Sequence, residues 1–177
     1  AASGMGREIA RLFAEEGASL ALLDRNQAGV AEVAGNLGAA AYACDVADRA
    51  QVGAVVARAG EALGGIDGLV NAAGILDIVP IDDLDPASWD RMLAVNLTGA
   101  FNVVKAALPF LRRADRATIV NIASVSALMP MAGTAGYSAS KAGLAMFTKA
   151  IAFDLGPAIR ANSICPGVIR TEMTRYL

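Results

Sequence analysis

The chain has 177 residues, 55% of them hydrophobic and 18% charged, which predicts a single globular domain over residues 1–177 and excludes a disordered or collagen-like protein. Lysine and arginine total 15 against 17 aspartates and glutamates, without a run of like charges, so we expect no nucleic-acid partner and no membrane surface. The sequence contains no histidine, which excludes Ser-His-Asp triads, Cys-His dyads and HExxH zinc sites.

The two cysteines, Cys44 and Cys165, are far apart, and neither has a CxxC partner. We therefore expect no disulfide framework, no metal site and a reducing, cytoplasmic location. The longest uncharged stretch, residues 117–140, contains too many polar and helix-breaking residues for a membrane span. We also expect no secretory signal, because no basic segment precedes an apolar one at the start of the sequence.

Short apolar runs alternate with longer helical patterns along the chain. We predict the short runs as strands buried on both faces, and the fourth helix opens with Asp85 as N-cap and Pro86 at the first helical position. The predicted strands cover residues 19–24, 40–44, 66–71, 118–123 and 159–165. The predicted helices cover residues 6–16, 27–36, 49–63, 86–111 and 136–155.

This alternation predicts right-handed βαβ units and therefore an α/β fold. We expect a Rossmann-like, doubly wound parallel sheet in a three-layer α/β/α arrangement. The sequence opens in a loop at residues 1–6 without a preceding strand, and residues 166–177 add no strand after the fifth. We therefore expect a fragment whose sheet lacks its first strand and its C-terminal part.

A pair of glycines, Gly4 and Gly6, comes directly before the first predicted helix. Glycine lets the backbone approach a pyrophosphate closely, and the helix N-terminus offers free N–H groups. Asp24, at the end of the next predicted strand, could accept both ribose hydroxyls of an adenosine and would repel a 2′-phosphate. The alternative is an ordinary turn at the glycines and a helix cap at Asp24.

Tyr137 and Lys141 lie four residues apart near the start of the last predicted helix, and hence on one face of it. A free phenol has a pKa of about 10, and a neighbouring cation favours the phenolate. The pair could therefore exchange protons with a substrate in a protein without histidine. The alternative for an isolated pair is a surface Tyr and Lys on an amphipathic helix.

Further polar residues are predicted near this pair, because ligands of open α/β sheets bind at the carboxyl ends of the strands. Ser124 follows the fourth predicted strand, Asn71 ends the third, and Asn96 lies within a helix. Each has a structural alternative: a cap for Ser124, a turn for Asn71 and a satisfied interior amide for Asn96.

Together these motifs resemble the classical short-chain dehydrogenases/reductases over nearly the whole length. They occur in the family's order and at compatible spacings: Gly4 and Gly6, Cys44-Asp45-Val46, Asn71-Ala72-Ala73-Gly74, Asn96, Ser124, Tyr137, Lys141, and Pro166-Gly167 followed by Thr171.

The resemblance implies a catalytic set of four residues. Tyr137 would be the acid/base, Lys141 would ease the loss of its proton and bind the nicotinamide ribose, and Ser124 would hold the substrate oxygen. Asn96 would anchor a water that links Lys141 to bulk solvent.

The resemblance also implies a nicotinamide cofactor. Asp45 and Val46 would hold the adenine, Asn71 and Gly74 would line the cofactor near its adenosine ribose, and Thr171 would meet the carboxamide. The family's glycine-rich loop begins with a Thr-Gly pair that is absent here, so we expect an incomplete cofactor site. The full set of predicted cofactor-binding residues is Ser3, Gly4, Met5, Gly6, Asp24, Arg25, Asp45, Val46, Asn71, Ala72, Gly74, Tyr137, Lys141, Pro166, Gly167, Ile169 and Thr171.

The leading hypothesis is an NAD(P)-dependent oxidoreductase that moves a hydride between the nicotinamide and a secondary alcohol or ketone. Asp24 favours NAD, although Arg25 could pair with the 2′-phosphate of NADP. The alternatives are a non-catalytic dinucleotide-binding or scaffold protein and an NADPH-dependent 3-oxoacyl thioester reductase.

Family members usually form tetramers through helices matching residues 86–111 and 136–155, so we expect a homotetramer or dimer. Candidate apolar pocket residues are Leu76, Ile78, Val79, Leu128, Met129 and Met131.

Overall fold

The structure is a computed structural model that describes residues 1–175. Within these residues, α-helices and strands alternate as the apolar pattern predicts. The strands are β1 (Ala21–Asp24), β2 (Ala40–Ala43), β3 (Gly68–Asn71), β4 (Ala117–Ile122) and β5 (Ile159–Ile164). The helices are α1 (Gly4–Glu15), α2 (Gln27–Leu37), α3 (Arg49–Leu63), α4 (Pro86–Leu93), α5 (Gly99–Leu111) and α6 (Ala135–Leu155).

All strand pairs are parallel, and they form two sheets. β1 pairs with β2, whereas β4 lies between β3 and β5 in the second sheet. The register sets Asn71 opposite Asn121 and Asp24 opposite Ala43. Because parallel strands end at the same edge, the carboxyl ends of β3, β4 and β5 meet at one side of the molecule. The predicted α/β class and Rossmann-like architecture are confirmed.

A cavity of about 570 Å³ separates the two sheets. Both β1 and β3 line it along their whole length, together with residues of α1, α3 and α5. The unpaired sides of β1 and β3 therefore face each other across this space. Within the described residues, the parallel strands thus form a pair and a triplet.

The main core lies between α3, α5 and the larger sheet. Val52 of α3, Leu111 of α5 and Ile119 of β4 are fully buried there. Burial of each such side chain contributes about 1.5–3 kcal/mol. A smaller cluster joins α1, α2 and β1 through Ala10, Leu22, Val30 and Ala34.

The prediction that every strand is buried on both faces is wrong for most of the strands. Of the five strands, β4, the middle strand of the triplet, is mostly buried. β1 has one buried residue and three half-buried ones, and β2, β3 and β5 each include exposed residues. In β5, Ile159 and Ala161 are buried under α6, whereas Arg160 and Asn162 on the opposite face are exposed. An apolar run therefore indicated a strand correctly but did not distinguish a central strand from an edge strand.

The predicted helix over residues 86–111 is interrupted by a π-helical turn, Ala94–Thr98. As predicted, Asp85 caps its start by accepting from Ala87 N at 3.2 Å, and Pro86 occupies the first turn. The whole stretch is long and apolar enough to cross a membrane by length and composition. Its apolar residues Val103, Val104 and Ala107 instead pack into the core, as in the core helix of a globular domain.

Candidate active site at the carboxyl ends of the strands

Tyr137 and Lys141 lie one helical turn apart on α6, and their side chains face each other. The Nζ atom of Lys141 is 5.9 Å from the centre of the Tyr137 ring. The same Nζ donates to the carbonyl oxygen of Ile122, at the end of β4, over 2.8 Å. Lys141 is only 4% exposed, whereas Tyr137 is half-buried. The sheet edge thus fixes the ammonium group, while Tyr137 is only partly buried.

Burial changes the acidity of the lysine. It lowers the pKa of Lys141 from 10.5 to about 8, and the nearby thiol of Cys165 acts weakly in the opposite direction. Lys141 is therefore cationic below about pH 8 and neutral above it. A lysine that titrates near physiological pH beside a phenol is an arrangement suited to moving protons.

Asn96 lies in the π-helical turn and is 1% exposed. Its Oδ1 accepts from Ile75 N at 2.8 Å, and its Nδ2 donates to Ile75 O at 3.0 Å and to Ser140 Oγ at 2.9 Å. The side chain is thus a fully satisfied interior amide. Because π-turns interrupt the regular helix ladder and recur at functional sites, the local geometry agrees with a functional position.

Ser140 is a residue that sequence reasoning missed. Its Oγ accepts from Asn96 and donates to the carbonyl oxygen of Tyr137 over 2.7 Å. It therefore joins two predicted catalytic residues that are far apart in sequence. The signal was present, since Ser140 lies inside the Tyr137-to-Lys141 motif, but its partner depends on how α6 packs against the π-turn.

The loop after β3 approaches the same lysine closely. A Cβ added at Gly74 would lie 3.3 Å from Lys141 Nζ and 3.4 Å from Asn96 Oδ1. A larger residue would displace one of these two groups. The Gly74 position thus brings the predicted cofactor loop into contact with the predicted catalytic residues.

Ser124 lies two residues beyond Ile122 and is 8% exposed. Its Oγ accepts from Ser126 N at 3.1 Å, so it does cap the short 3₁₀ turn that follows β4. The next residue, Val125, donates its N–H to Pro166 O at 2.8 Å. This bond places the loop after β5 against the Ser124 segment.

The remaining predicted cofactor residues gather mostly around the cavity between the sheets. Pro166, Gly167 and Ile169 do not line it, and neither do Tyr137 and Lys141. The predicted residues that line it are Ser3, Gly4, Met5, Gly6, Asp24, Arg25, Asp45, Val46, Asn71, Ala72, Gly74 and Thr171.

The start of α1 offers an anion site to this cavity. Gly4 has a φ of +55°, and no side chain caps the helix at Ser3. The backbone N–H groups of the first turn therefore remain available for phosphate oxygens. A Cβ at Gly4 would lie 3.6 Å from Thr171, so the predicted pyrophosphate loop and the predicted carboxamide contact are neighbours.

Asp24 ends β1 at the rim of the cavity. Its Oδ2 accepts from Ala2 N at 2.8 Å and from Ala1 N at 2.6 Å, and its Oδ1 accepts from Asn26 N at 2.9 Å. Burial alone would raise the pKa of Asp24, but these hydrogen bonds outweigh it and hold the pKa below its ordinary value. Asp24 is therefore a carboxylate, as a partner of ribose hydroxyls must be.

The Asp45–Val46 segment is held from two sides. Gln51 of α3 accepts the N–H of Asp45, and Asn102 of α5 donates to Val46 O over 3.0 Å. Asn102 also accepts from the Arg49 guanidinium at 3.2 Å. These contacts fix the predicted adenine-binding segment against two helices. The lining of this cavity thus contains three features that a dinucleotide site uses: an open helix N-terminus at Gly4, a carboxylate at Asp24 and the anchored Asp45–Val46 segment.

Comparison with known proteins agrees with this geometry. The chain matches the short chain dehydrogenase family over residues 1–177. This chain belongs to the short-chain dehydrogenase family. It is 40% identical to a 3-alpha-(or 20-beta)-hydroxysteroid dehydrogenase of Mycobacterium bovis, an alignment that covers 99% of this chain and 69% of the relative.

Other members of the short-chain dehydrogenase family differ in their named activity. The inactive 2-(S)-hydroxypropyl-CoM dehydrogenase 2 of Xanthobacter autotrophicus is 39% identical, over 96% of this chain and 75% of the relative. The ligand-free structure of the aldohexose dehydrogenase of Thermoplasma acidophilum superposes with a TM-score of 0.90 at 34% identity, over 97% of this chain. The present chain spans 65% of the length of that solved structure.

The loops that follow β3 and β4 form an apolar rim beside the site. Val79 N donates to Gly133 O over 2.8 Å, which ties the two loops together. Asp77 accepts from Ser88 and from the Arg91 guanidinium of α4, which anchors the first loop. Exposed apolar side chains on this rim include Ile78, Leu128, Met129 and Met131, and Leu76 and Val79 are half-buried.

Proposed function

We propose that the protein is an oxidoreductase that interconverts a secondary alcohol and a ketone with a nicotinamide dinucleotide. The observation that carries this proposal is the Lys141 ammonium group, buried and hydrogen-bonded to Ile122 O, 5.9 Å from the Tyr137 ring. A cation held there would stabilise the negative charge that develops on the phenol oxygen during proton transfer. The names of the hydroxysteroid and aldohexose relatives support alcohols as the substrate class.

Each residue of the site has a distinct part in this reaction. The nicotinamide, when bound, accepts or supplies the hydride. Tyr137 takes the hydroxyl proton of the alcohol, or returns one to the ketone oxygen, and Ser124 donates a hydrogen bond to the same oxygen. Lys141 stabilises the phenolate and binds the ribose hydroxyls, and the Asn96 segment holds the water through which Lys141 exchanges protons with solvent.

We propose NAD rather than NADP as the cofactor. Asp24 is a carboxylate at the rim of the cavity, and a second negative charge on the 2′-position would be repelled there. Arg25 also lines the cavity, but Asp24 occupies the strand end, where the ribose hydroxyls would lie. Gly4, Met5 and Gly6 would receive the pyrophosphate at the N-terminus of α1.

The proposal is tested by a single substitution in the complete protein that carries this sequence. The alcohol panel consists of cyclohexanol, 2-propanol, a 3-hydroxysteroid and an aldohexose, and NADH formation is followed by absorbance.

Tyr137→Phe removes the proton acceptor, so turnover should fall about 10²- to 10⁴-fold while NADH binding, measured by fluorescence, stays within about twofold. Tyr42→Phe, which alters a half-buried tyrosine outside the cavity lining, should leave both unchanged. Retained turnover in Tyr137→Phe would refute the proposed role.

A second candidate function is dinucleotide binding without catalysis, because a relative of comparable similarity is named as inactive. That candidate predicts NADH binding by the wild-type protein and no hydride transfer to or from any compound in the panel. The satisfied bonds of Asn96, Ser140 and Lys141 favour the enzyme, because a binding protein has no need for a buried ammonium group beside a phenol.

We also propose that the protein is a homo-oligomer, either a dimer or a tetramer, in the cytoplasm. Large apolar side chains of α5 and α6 are exposed in the single chain: Phe101 by 39%, Met146 by 64% and Phe153 by 89%. Such a surface favours association between copies. Light scattering of the complete protein would measure the assembly directly, and a monomer at micromolar concentration would refute this proposal.

A further inference from the structure

A row of buried hydrogen bonds crosses the larger sheet and ends on α6. Asn71 Nδ2 donates to Asn121 Oδ1 over 2.8 Å, and Asn121 Nδ2 donates to Thr148 Oγ1 over 2.8 Å. The Thr148 hydroxyl in turn donates to Leu144 O over 2.7 Å. The row therefore connects the carboxyl end of β3, the end of β4 and the middle of α6.

These polar groups are deep in the protein. Asn121 is 0% exposed and Thr148 1%, and fully buried Ile119 and Leu144 lie nearby in sequence. An unpaired amide in such surroundings costs about 1–3 kcal/mol. An apolar residue at position 121 or 148 would avoid the cost of an unpaired buried polar group. Stabilisation of the core alone therefore does not explain why these two residues are polar.

The row has a fixed direction. A hydroxyl has one hydrogen, and that of Thr148 is committed to Leu144 O, so its lone pair must face Asn121. Asn121 must then present its NH₂ group to Thr148 and its oxygen to Asn71. The Thr148 hydroxyl thus sets the orientation of the Asn121 amide, which bonds to both β3 and α6.

The same face of α6 carries the proposed catalytic lysine. Lys141, Leu144 and Thr148 are spaced i, i+3 and i+7, and all three are buried towards the sheet. Lys141 is held by Ile122 O, and Thr148 by the side chain of Asn121, the residue next to Ile122 in β4. Two attachments, two helical turns apart, prevent α6 from sliding or rotating on β4.

Asn121 is also hydrogen-bonded to Asn71, which begins the loop that approaches Lys141 from the side opposite α6. Its bond to Asn71 holds the start of the loop that leads to Gly74, the position whose Cβ would lie 3.3 Å from Lys141 Nζ. The one amide is therefore connected to both sides of the space in which the ammonium group sits: the helix that bears Lys141 and the loop that touches it.

We propose that Asn121 and Thr148 are positioning residues that hold the Lys141 ammonium group beside the Tyr137 ring. Neither residue reaches substrate or cofactor; both act through α6 and β4. This inference rests on the proposed function, since it assigns a kinetic role to a hydrogen-bond row in that same site. It identifies Thr148, seven residues beyond the lysine, as a determinant of proton transfer.

The test compares Thr148→Val with Thr148→Ser in the complete protein, using NAD and the most active alcohol of the alcohol panel. Valine keeps the shape but removes the hydroxyl, whereas serine keeps the hydroxyl. Thr148→Val should lower kcat by about 10-fold, because a small displacement of a catalytic group is costly. It should also shift the acidic limb of the kcat–pH profile upwards by about half a pH unit or more, because a displaced cation favours the phenolate less. Thr148→Ser should restore both values to within about twofold.

The matched control is Thr118→Val in β4, the strand that also carries Asn121. The Thr118 hydroxyl accepts from the exposed Arg160 guanidinium at 3.0 Å and is not part of the row. Thr118→Val should leave kcat and the pH profile unchanged. All variants are assayed well below their melting temperatures, measured by circular dichroism. If Thr148→Val does not fold, Thr148→Cys, with its weaker hydrogen-bonding group, should give a smaller shift in the same direction.

The inference is overturned if folded Thr148→Val matches Thr148→Ser in kcat and in pH profile, even when its melting temperature is lower, because the row would then be only structural. If the wild-type protein binds NADH but oxidises no alcohol of the panel, the proposed function has failed instead. The two failures are therefore distinguishable in one set of assays.

Discussion

The two parts of the chain differ in how deeply their polar side chains are buried. We call residues 1–65 the N-terminal part and residues 66–175 the C-terminal part. Among the described residues, every polar or charged residue in the buried class belongs to the C-terminal part: Asn96, Asn102, Asn121, Ser124, Ser126, Thr134, Ser140, Lys141 and Thr148.

The polar contacts of the N-terminal part lie mainly at its surface. Arg11 pairs with Glu8 and Glu15 on an exposed face of α1, and Asn26 and Asp48 cap helices in exposed positions. The exposed ion pairs of Arg11 contribute little to the stability of the fold. This contrast agrees with the proposed function: polar groups fixed in a dry interior suit proton transfer, whereas backbone N–H groups and carboxylates near the surface can be reached by a dinucleotide.

The largest expected effect comes from removing the buried charge of the C-terminal part. Lys141→Met should lower kcat on the order of 10²- to 10³-fold, because the phenolate loses its cation. The same variant should be more stable than wild type at pH 7, by about 1–2 kcal/mol after the lost bond to Ile122 O is counted. Urea unfolding measures the stability and NADH formation the rate.

The sign of this stability effect follows from the lysine's titration. The folded-state pKa of about 8 is below the ordinary 10.5, so between those values the unfolded chain binds more protons than the folded one. Wild-type stability should therefore rise from about pH 8 to 10.5, with the charge penalty fully present below pH 8. Lys141→Met should lack that rise. An equal rise in wild type and variant would contradict burial of the charge.

Removing the carboxylate of the N-terminal part should act on cofactor choice rather than on chemistry. Asp24→Asn keeps the shape but removes the charge, so the KM for NAD should rise about 10-fold and the preference for NAD over NADP should shrink. Kinetics with both cofactors would measure it. Asp154→Asn, at an exposed carboxylate near the end of α6, is the control; a pure fall in kcat for Asp24→Asn would argue against a ribose contact.

A methyl group at the junction of the two parts should have a smaller effect. Gly74→Ala adds a Cβ at 3.3 Å from Lys141 Nζ, and the flexible lysine can yield by a few tenths of an ångström, so kcat should fall by about threefold. Gly35→Ala, in α2 with no atom within 4 Å of its added Cβ, should leave kcat unchanged. Full activity in Gly74→Ala would show that the lysine does not need its present position.

The smallest effect concerns α3, the helix that packs against α5 of the other part. A Cβ at Gly60 would overlap the Phe110 ring, whereas one at Gly53 of the same helix would meet nothing within 4 Å. Gly60→Ala should destabilise by about 1–3 kcal/mol, and Gly53→Ala should stabilise by about 0.5–1 kcal/mol. Denaturant unfolding of the two variants measures both changes in the free energy of unfolding. Equal changes would contradict a close contact between Gly60 and the Phe110 ring.

The sequence was sufficient to predict the α/β class and the position of each strand to within about two residues. Local apolar spacing carries that information, and glycine, proline and asparagine marked many of the ends. The π-turn at Ala94–Thr98 was not predictable, because it arises where the Asn96 side chain bonds to Ile75 and Ser140, far away in sequence. Apolar runs do not report which strands pair, so the sequence did not specify the pairing into two sheets.

The candidate site shows the same limit. Tyr137, Lys141, Ser124 and Asn96 were found from motif spacing, and the roles assigned to them remain proposals. Asn121 and Thr148 carry no motif: an asparagine in a strand and a threonine in a helix are ordinary until α6 is packed on β4 and their 2.8 Å bond is formed. Positioning residues are defined by tertiary contacts, so a single sequence could not reveal them.

The proposed reaction depends on a buried Lys141 ammonium group beside the Tyr137 phenol, with its pKa lowered by burial to about 8. The sharpest test is an NMR titration of the lysine side-chain ¹³Cε signal in the complete protein, with Lys141 assigned by its absence in Lys141→Met. We expect a midpoint at about pH 8. A midpoint near 10.5, the value of a solvent-exposed lysine, would contradict it.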